Sequence, residues 1–76
     1  MNKERRRRIE EIVSALDDLK HDLENILDDE QEAFDSIPES LQQTERAESS
    51  QTAIDEMTDV ISTIETIVDQ LTEITQ

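Results

Sequence analysis

A chain of 76 residues with a formal charge of −14 is one small domain, near the size at which a single core barely suffices. It has no Cys to form a disulfide and no Gly to build a phosphate-cradling loop, and its single Phe, without Trp or Tyr, offers no stacking platform for bases. The acidic excess repels nucleic acid and anionic membranes while attracting basic protein surfaces. No apolar run approaches the roughly 20 residues that span a bilayer, so the expectation is a cytoplasmic, non-enzymatic protein with no cofactor, no metal, no direct nucleic-acid contact and no membrane contact.

Taken in order, the chain begins with a basic segment. Lys3, Arg5, Arg6, Arg7 and Arg8 are five of the seven basic residues. They are either an arm for nucleic acid or an acidic partner or, in the favoured reading, counter-charges to Asp69, Glu73 and the negative end of a second helix. From Ile9 the apolar residues step by three and four through Ile12, Leu16, Leu19, Leu23 and Ile26 to Glu30, Ala33 and Ile37. That is a heptad seam with positions a and d filled apart from the acid at Glu30. Val13, Leu27 and Phe34 add a stripe at e, which widens the apolar face and asks for more than one neighbour. Asp18 and His21 have the spacing of a helical metal site, but they fall on the solvent face, where bundle ligands do not project.

The first helix must stop before Pro38, whose ring removes a donor and pushes Ile37 out of the helical region. Ser36 and Glu39 have capping-box spacing, which predicts that Ser36 opens a new helical turn over Pro38 to Gln42. A second arm follows, with Ala47, Ser50, Ile54, Met57, Ile61, Ile64, Val68 and Leu71 at heptad spacing and Ala53, Val60, Ile67 and Ile74 in a g stripe. Its many Thr and Ser residues lower helix propensity, which predicts fraying after Leu71.

The two arms predict an all-α fold: an antiparallel two-helix hairpin, coiled-coil-like, with a helix over about 3–35, a turn over 36–43 and a helix over about 44–74, forming a single domain over 1–76. A reversal centred on Ser36 and Ile37 would pair Leu71 with Asn2 and leave Ile74 facing nothing. A turn that stands outside the arms makes position i face about 80 − i instead, which pairs Ile9 with Leu71, Leu16 with Ile64, Leu23 with Met57 and Ala33 with Ala47. In this register Glu30 meets Ser50 and Gln51 in a polar layer. The e stripe of the first arm and the g stripe of the second then lie on opposite sides, and covering them predicts a homodimer in a four-helix bundle.

The segment EQEAFDSIPESLQQTER, preceded by MNKERRRRIEEI and followed by AIDEM, resembles a group of short acidic helical proteins of phages, prophages and Gram-positive bacteria. The resemblance covers nearly the whole chain, and its specific part is the turn. The group has no assigned activity, so the resemblance implies a setting more than a mechanism. Relatives usually carry Gly where this chain has Ala47.

The leading expectation is a protein-protein interaction module, with Glu30, Phe34, Ile37, Pro38, Leu41 and Arg46 at the tip as candidate contact residues. In that reading Phe34 packs inward while Ile37, Leu41 and Arg46 stay accessible. The alternative is an acidic decoy that occupies a basic nucleic-acid-binding surface of a host protein.

Overall fold

The computed structural model describes residues 1–76 as two long helices joined by a turn: α1 (Lys3–Asp35), a single 3-10 turn (Glu39–Leu41) and α2 (Glu45–Thr75), with no strand. α1 starts where Asn2, in extended conformation, accepts the Arg5 amide on Oδ1 at 2.9 Å. That satisfies one of the amides a helix start leaves free. α1 ends at Ser36, which is still right-handed, with φ −82° and ψ −9°. The Ser36 amide and hydroxyl both donate to the Glu32 carbonyl, at 3.1 and 2.9 Å. Ser36 therefore closes the first helix and does not open the next turn. The capping box with Glu39 is absent because the hydroxyl is spent on its own helix.

Pro38 then takes an extended ψ of 141° and turns the chain out of line. Its carbonyl accepts the Leu41 amide at 2.8 Å, which makes the short 3-10 turn. Two side chains brace this reversal: the Gln42 amide donates to the Ile37 carbonyl at 3.3 Å, and the Thr44 hydroxyl to the Leu41 carbonyl at 2.8 Å. Thr44 also caps α2 by accepting the Ala47 amide, at a long 3.4 Å. No residue has a positive φ, so the turn is made entirely from conformations that side-chain-bearing residues adopt without strain. This is how a chain without Gly reverses direction.

The hairpin is a rod of 59 × 15 × 13 Å with a radius of gyration of 17.3 Å. A compact chain of this length would have about 11 Å. Register is fixed near the tip, where the Ser50 hydroxyl donates to Glu30 Oε1 at 2.6 Å. Glu30 thus has one of the two partners expected of it, Gln51 donating instead to Asp55 at 2.9 Å, and position i faces about 80 − i. Ile9 and Leu71, Leu16 and Ile64, and Leu23 and Met57 fall level with each other, and all are half-buried.

The face that α1 turns to α2 differs from the expected one. The half-buried rows of α1 are a and e: Ile9, Leu16, Leu23, Glu30 and Ile37 with Val13, Lys20, Leu27 and Phe34. The d row, Ile12, Leu19, Ile26 and Ala33, is exposed. The seam is rotated by roughly 50° from the a/d position, because residues advance about 100° each around a helix. Phe34, the largest apolar side chain of α1, is at e, level with Ala47, which is 0% exposed. Ala33 accordingly does not face Ala47. Lys20 fits this seam by laying its stem along it and extending Nζ to 3.8 Å from Glu65. On α2 the expected seam holds, from Ala47 and Ile54 (6% exposed) to half-buried Leu71, and the helix continues to Thr75 without the expected early fraying.

Candidate functional site: an exposed apolar face

Two buried residues, Ala47 and Ile54, are a very small core. The missing burial is visible on the outside, where Ile12, Leu19 and Ile26 of α1 and Val60, Ile67 and Ile74 of α2 are each 39 to 59% exposed. Their spacing of seven puts each trio in one line along its helix, about 10.5 Å between neighbours.

The two lines lie on the same side of the hairpin. Near the tip a groove of about 650 Å³ is lined by Ala33, which continues the row of Ile12, Leu19 and Ile26, and by Arg46 and Ala53, which continue the row of Val60, Ile67 and Ile74. One groove touched by both rows means one face. The expectation of apolar flanks on opposite sides is therefore corrected: Val13, Leu27 and Phe34 are turned into the seam, and the residues that replace them outside share a face with the g stripe. The other side is polar. Lys20 reaches Glu65 there, and Asp17 and Glu24 flank Lys20 at helical spacing.

The side chains on this face shrink toward the tip. Level by level, Ile12 stands beside Ile67, Leu19 beside Val60, Ile26 beside Ala53, and Ala33 beside Arg46. A ridge at the middle and open end thus becomes a groove at the tip. Of the six tip residues singled out from sequence, Glu30, Ile37, Pro38, Leu41 and Arg46 line the groove, with Ile37 half-buried and Leu41 50% exposed. Phe34 is half-buried and does not line it. The six therefore do not form one surface.

The basic segment also differs from expectation. Arg7 pairs with Glu4 at 2.7 Å and with Glu11, both on its own helix. The hydrogen bonds it donates to Glu4, then the charge of Glu11, hold its guanidinium above its usual pKa. Arg5, Arg6 and Arg8 make no ion pair within the chain, and none of the arginines reaches Asp69 or Glu73. Neither helix has a basic residue in its last turn, so both negative helix ends lack a counter-charge.

His21 lies 3.5 Å from Glu24 through Nδ1, and no group of three His, Cys, Asp or Glu side chains is placed to hold a metal ion. No helix is long and apolar enough to cross a membrane. What sequence reasoning missed is the d row as a site. The available signal was that the rows on either side of a, d and e, are both largely apolar while α2 can cover only one of them.

The accessible surface is 5787 Å², against about 4,800 Å² for a compact monomer of this mass. No known protein family, curated protein or solved structure matches the chain.

Proposed function

We propose that this chain is a non-enzymatic protein-protein interaction module that works as a homodimer, two hairpins closing into a four-helix bundle over their apolar faces. The observation that carries this reading is the single face formed by Ile12, Leu19, Ile26, Val60, Ile67 and Ile74, all half exposed or nearly so. The hairpin exposes about 1,000 Å² more than a compact monomer, and a standard stable interface removes about 800 Å² from each partner. The excess surface and the need of a dimer are therefore the same size.

Sedimentation equilibrium tests the reading. The native chain should have twice the chain mass, and Leu19→Glu or Val60→Glu should return it to one chain mass with helicity retained. A native chain of single mass near millimolar concentration would overturn it.

A second reading draws on the polar side, where Asp17, Glu24 and Glu65 stay available after the apolar faces close. There the dimer presents acidic surfaces that occupy a basic nucleic-acid-binding surface of a host protein. Binding of that kind weakens steeply as salt rises, whereas association through the apolar face does not.

A further inference from the structure

The shape and charge of the apolar face select one way of placing a second copy on it. We infer that the two hairpins pair head to tail, with their turns at opposite ends and a twofold axis crossing the interface at the level of Leu19 and Val60. The inference rests on the homodimer proposed above and adds its geometry.

Size complementarity is the first argument. With the axis at that level, Leu19 meets the partner's Leu19 and Val60 meets the partner's Val60. Ile12 lies over the partner's Ile26, and Ile67 over the partner's Ala53. Arg5 and Ile74, the outermost members of the two rows, lie over the partner's Ala33 and the partner's Arg46, in the groove of about 650 Å³ at the tip. Ile67 and Arg5 at the open end meet the small Ala53 and Ala33 at the tip, so the layers are evened in volume and the groove is filled. The other face-to-face arrangement, with both turns at one end, gathers Ile12 and Ile67 of both copies into one layer of four large side chains. It gathers Ile26 and Ala53 of both copies into a smaller one, so the layer volumes are uneven along the interface.

Charge is the second argument, and it is independent of the first. Arg5, Arg6 and Arg8 near the open end make no ion pair, while Asp28, Asp29, Glu30, Glu32 and Asp35 crowd the end of α1 at the tip. Head-to-tail pairing brings Arg8 level with the partner's Glu30 and beside the partner's Asp29, which occupies the same heptad row as Arg8. It also brings Arg5 toward the last turn of the partner's α1 and Arg46 toward the last turn of the partner's α2. Those are the two helix ends that have no basic residue of their own. With both turns at one end, the two acidic tips would share one end of the dimer, at a cost.

The chain has no Cys, so an introduced thiol reports alone. Leu19 is 59% and Val60 48% exposed, so replacing either leaves the seam intact. Leu19→Cys and Val60→Cys are each placed in a glutathione redox buffer, singly and mixed, with mass measured by sedimentation under reducing conditions in parallel. Head-to-tail pairing gives a disulfide-linked dimer from each variant alone and almost none between the two in the mixture. Because the other arrangement sets Leu19 against the partner's Val60, linking found only in the mixture would overturn head-to-tail pairing while leaving the homodimer standing. A dimer that links in neither case uses another surface and overturns both, as does a chain that stays at single mass. Arg8→Glu supplies a check free of thiols: the dimer dissociation constant should rise at least tenfold in low salt, and an unchanged constant would also overturn the arrangement.

Discussion

The rotated seam of α1 can be tested at two adjacent residues. Leu27 is half-buried against α2, whereas Ile26 is 56% exposed on the apolar face. In a Leu19→Glu background, which holds the chain as a single hairpin, each is changed to Ala. Full burial of a Leu or Ile side chain is worth about 1.5–3 kcal/mol. Leu27 realises more than half of that, and its open surroundings let the gap relax, so Leu27→Ala should cost about 1–2 kcal/mol. Ile26→Ala should stay within about 0.5 kcal/mol, since little burial is lost and Ala is the better helix former. In a domain of this size 1 kcal/mol moves the thermal midpoint by about 4–8 °C, so circular dichroism melts separate the two variants clearly. If Ile26→Ala proved as costly as Leu27→Ala in this background, the seam would be a/d and the apolar face described above would not exist. In the native background the same Ile26→Ala change should lower the midpoint increasingly as protein concentration rises, because there it also weakens the proposed dimer.

Further outcomes follow from single contacts. A double-mutant cycle over Glu30→Ala and Ser50→Ala, read by urea denaturation, should give a coupling of about 1 kcal/mol, since the acceptor is charged but only half-buried; additive effects would mean that the hydrogen bond does not set the register. Ala47→Leu should destabilise by about 1–3 kcal/mol through overpacking, whereas Ala53→Leu, on the groove, should be tolerated by the single hairpin; equal effects would contradict the close approach of the helices at Ala47. Asn2→Ala should speed hydrogen exchange at the Arg5 amide several-fold while leaving the thermal midpoint nearly unchanged; no change in that exchange would show the cap to be idle.

Much of this architecture is legible in the amino-acid order. Pro38 marks the reversal because its ring forbids a continuous helix, and the acid at Glu30 finds a hydroxyl at Ser50 because matching apolar ends admits only one register. The choice of seam was not legible. Row a is shared by both solutions, and the residues on either side of it, Ile12 and Val13, Leu19 and Lys20, Ile26 and Leu27, are apolar in nearly every case. Lys20 interrupts row e, and a charge in a seam looks like an error until its stem is seen to lie flat with only the amine emerging beside Glu65. Ser36 misled for a related reason: a hydroxyl can serve the helix behind it or the one ahead, and residue spacing alone does not say which. The candidate tip site was half legible, because heptad position puts Phe34 inside once the seam is known, while the groove beside it depends on Ala33 and Ala53 being small.

The hydroxyls along α2 bear on how the chain is made. Thr58, Thr63, Thr66 and Thr72 each donate to the carbonyl four residues back, at 2.8 to 3.2 Å. Such residues are poor helix formers on their own, whereas α1 is rich in Glu, Arg and Leu and supports itself with pairs such as Arg7 and Glu11. A ribosome delivers α1 first, so α2 emerges beside a helix already able to act as its template. Detached from it, the stretch VISTIETIV at 60–68 has the β-branched, weakly charged character of a segment that stacks into fibrils. A circular permutant in which α2 leads would present that stretch to solvent with nothing to fold against, and should aggregate during synthesis even though its finished fold is the same.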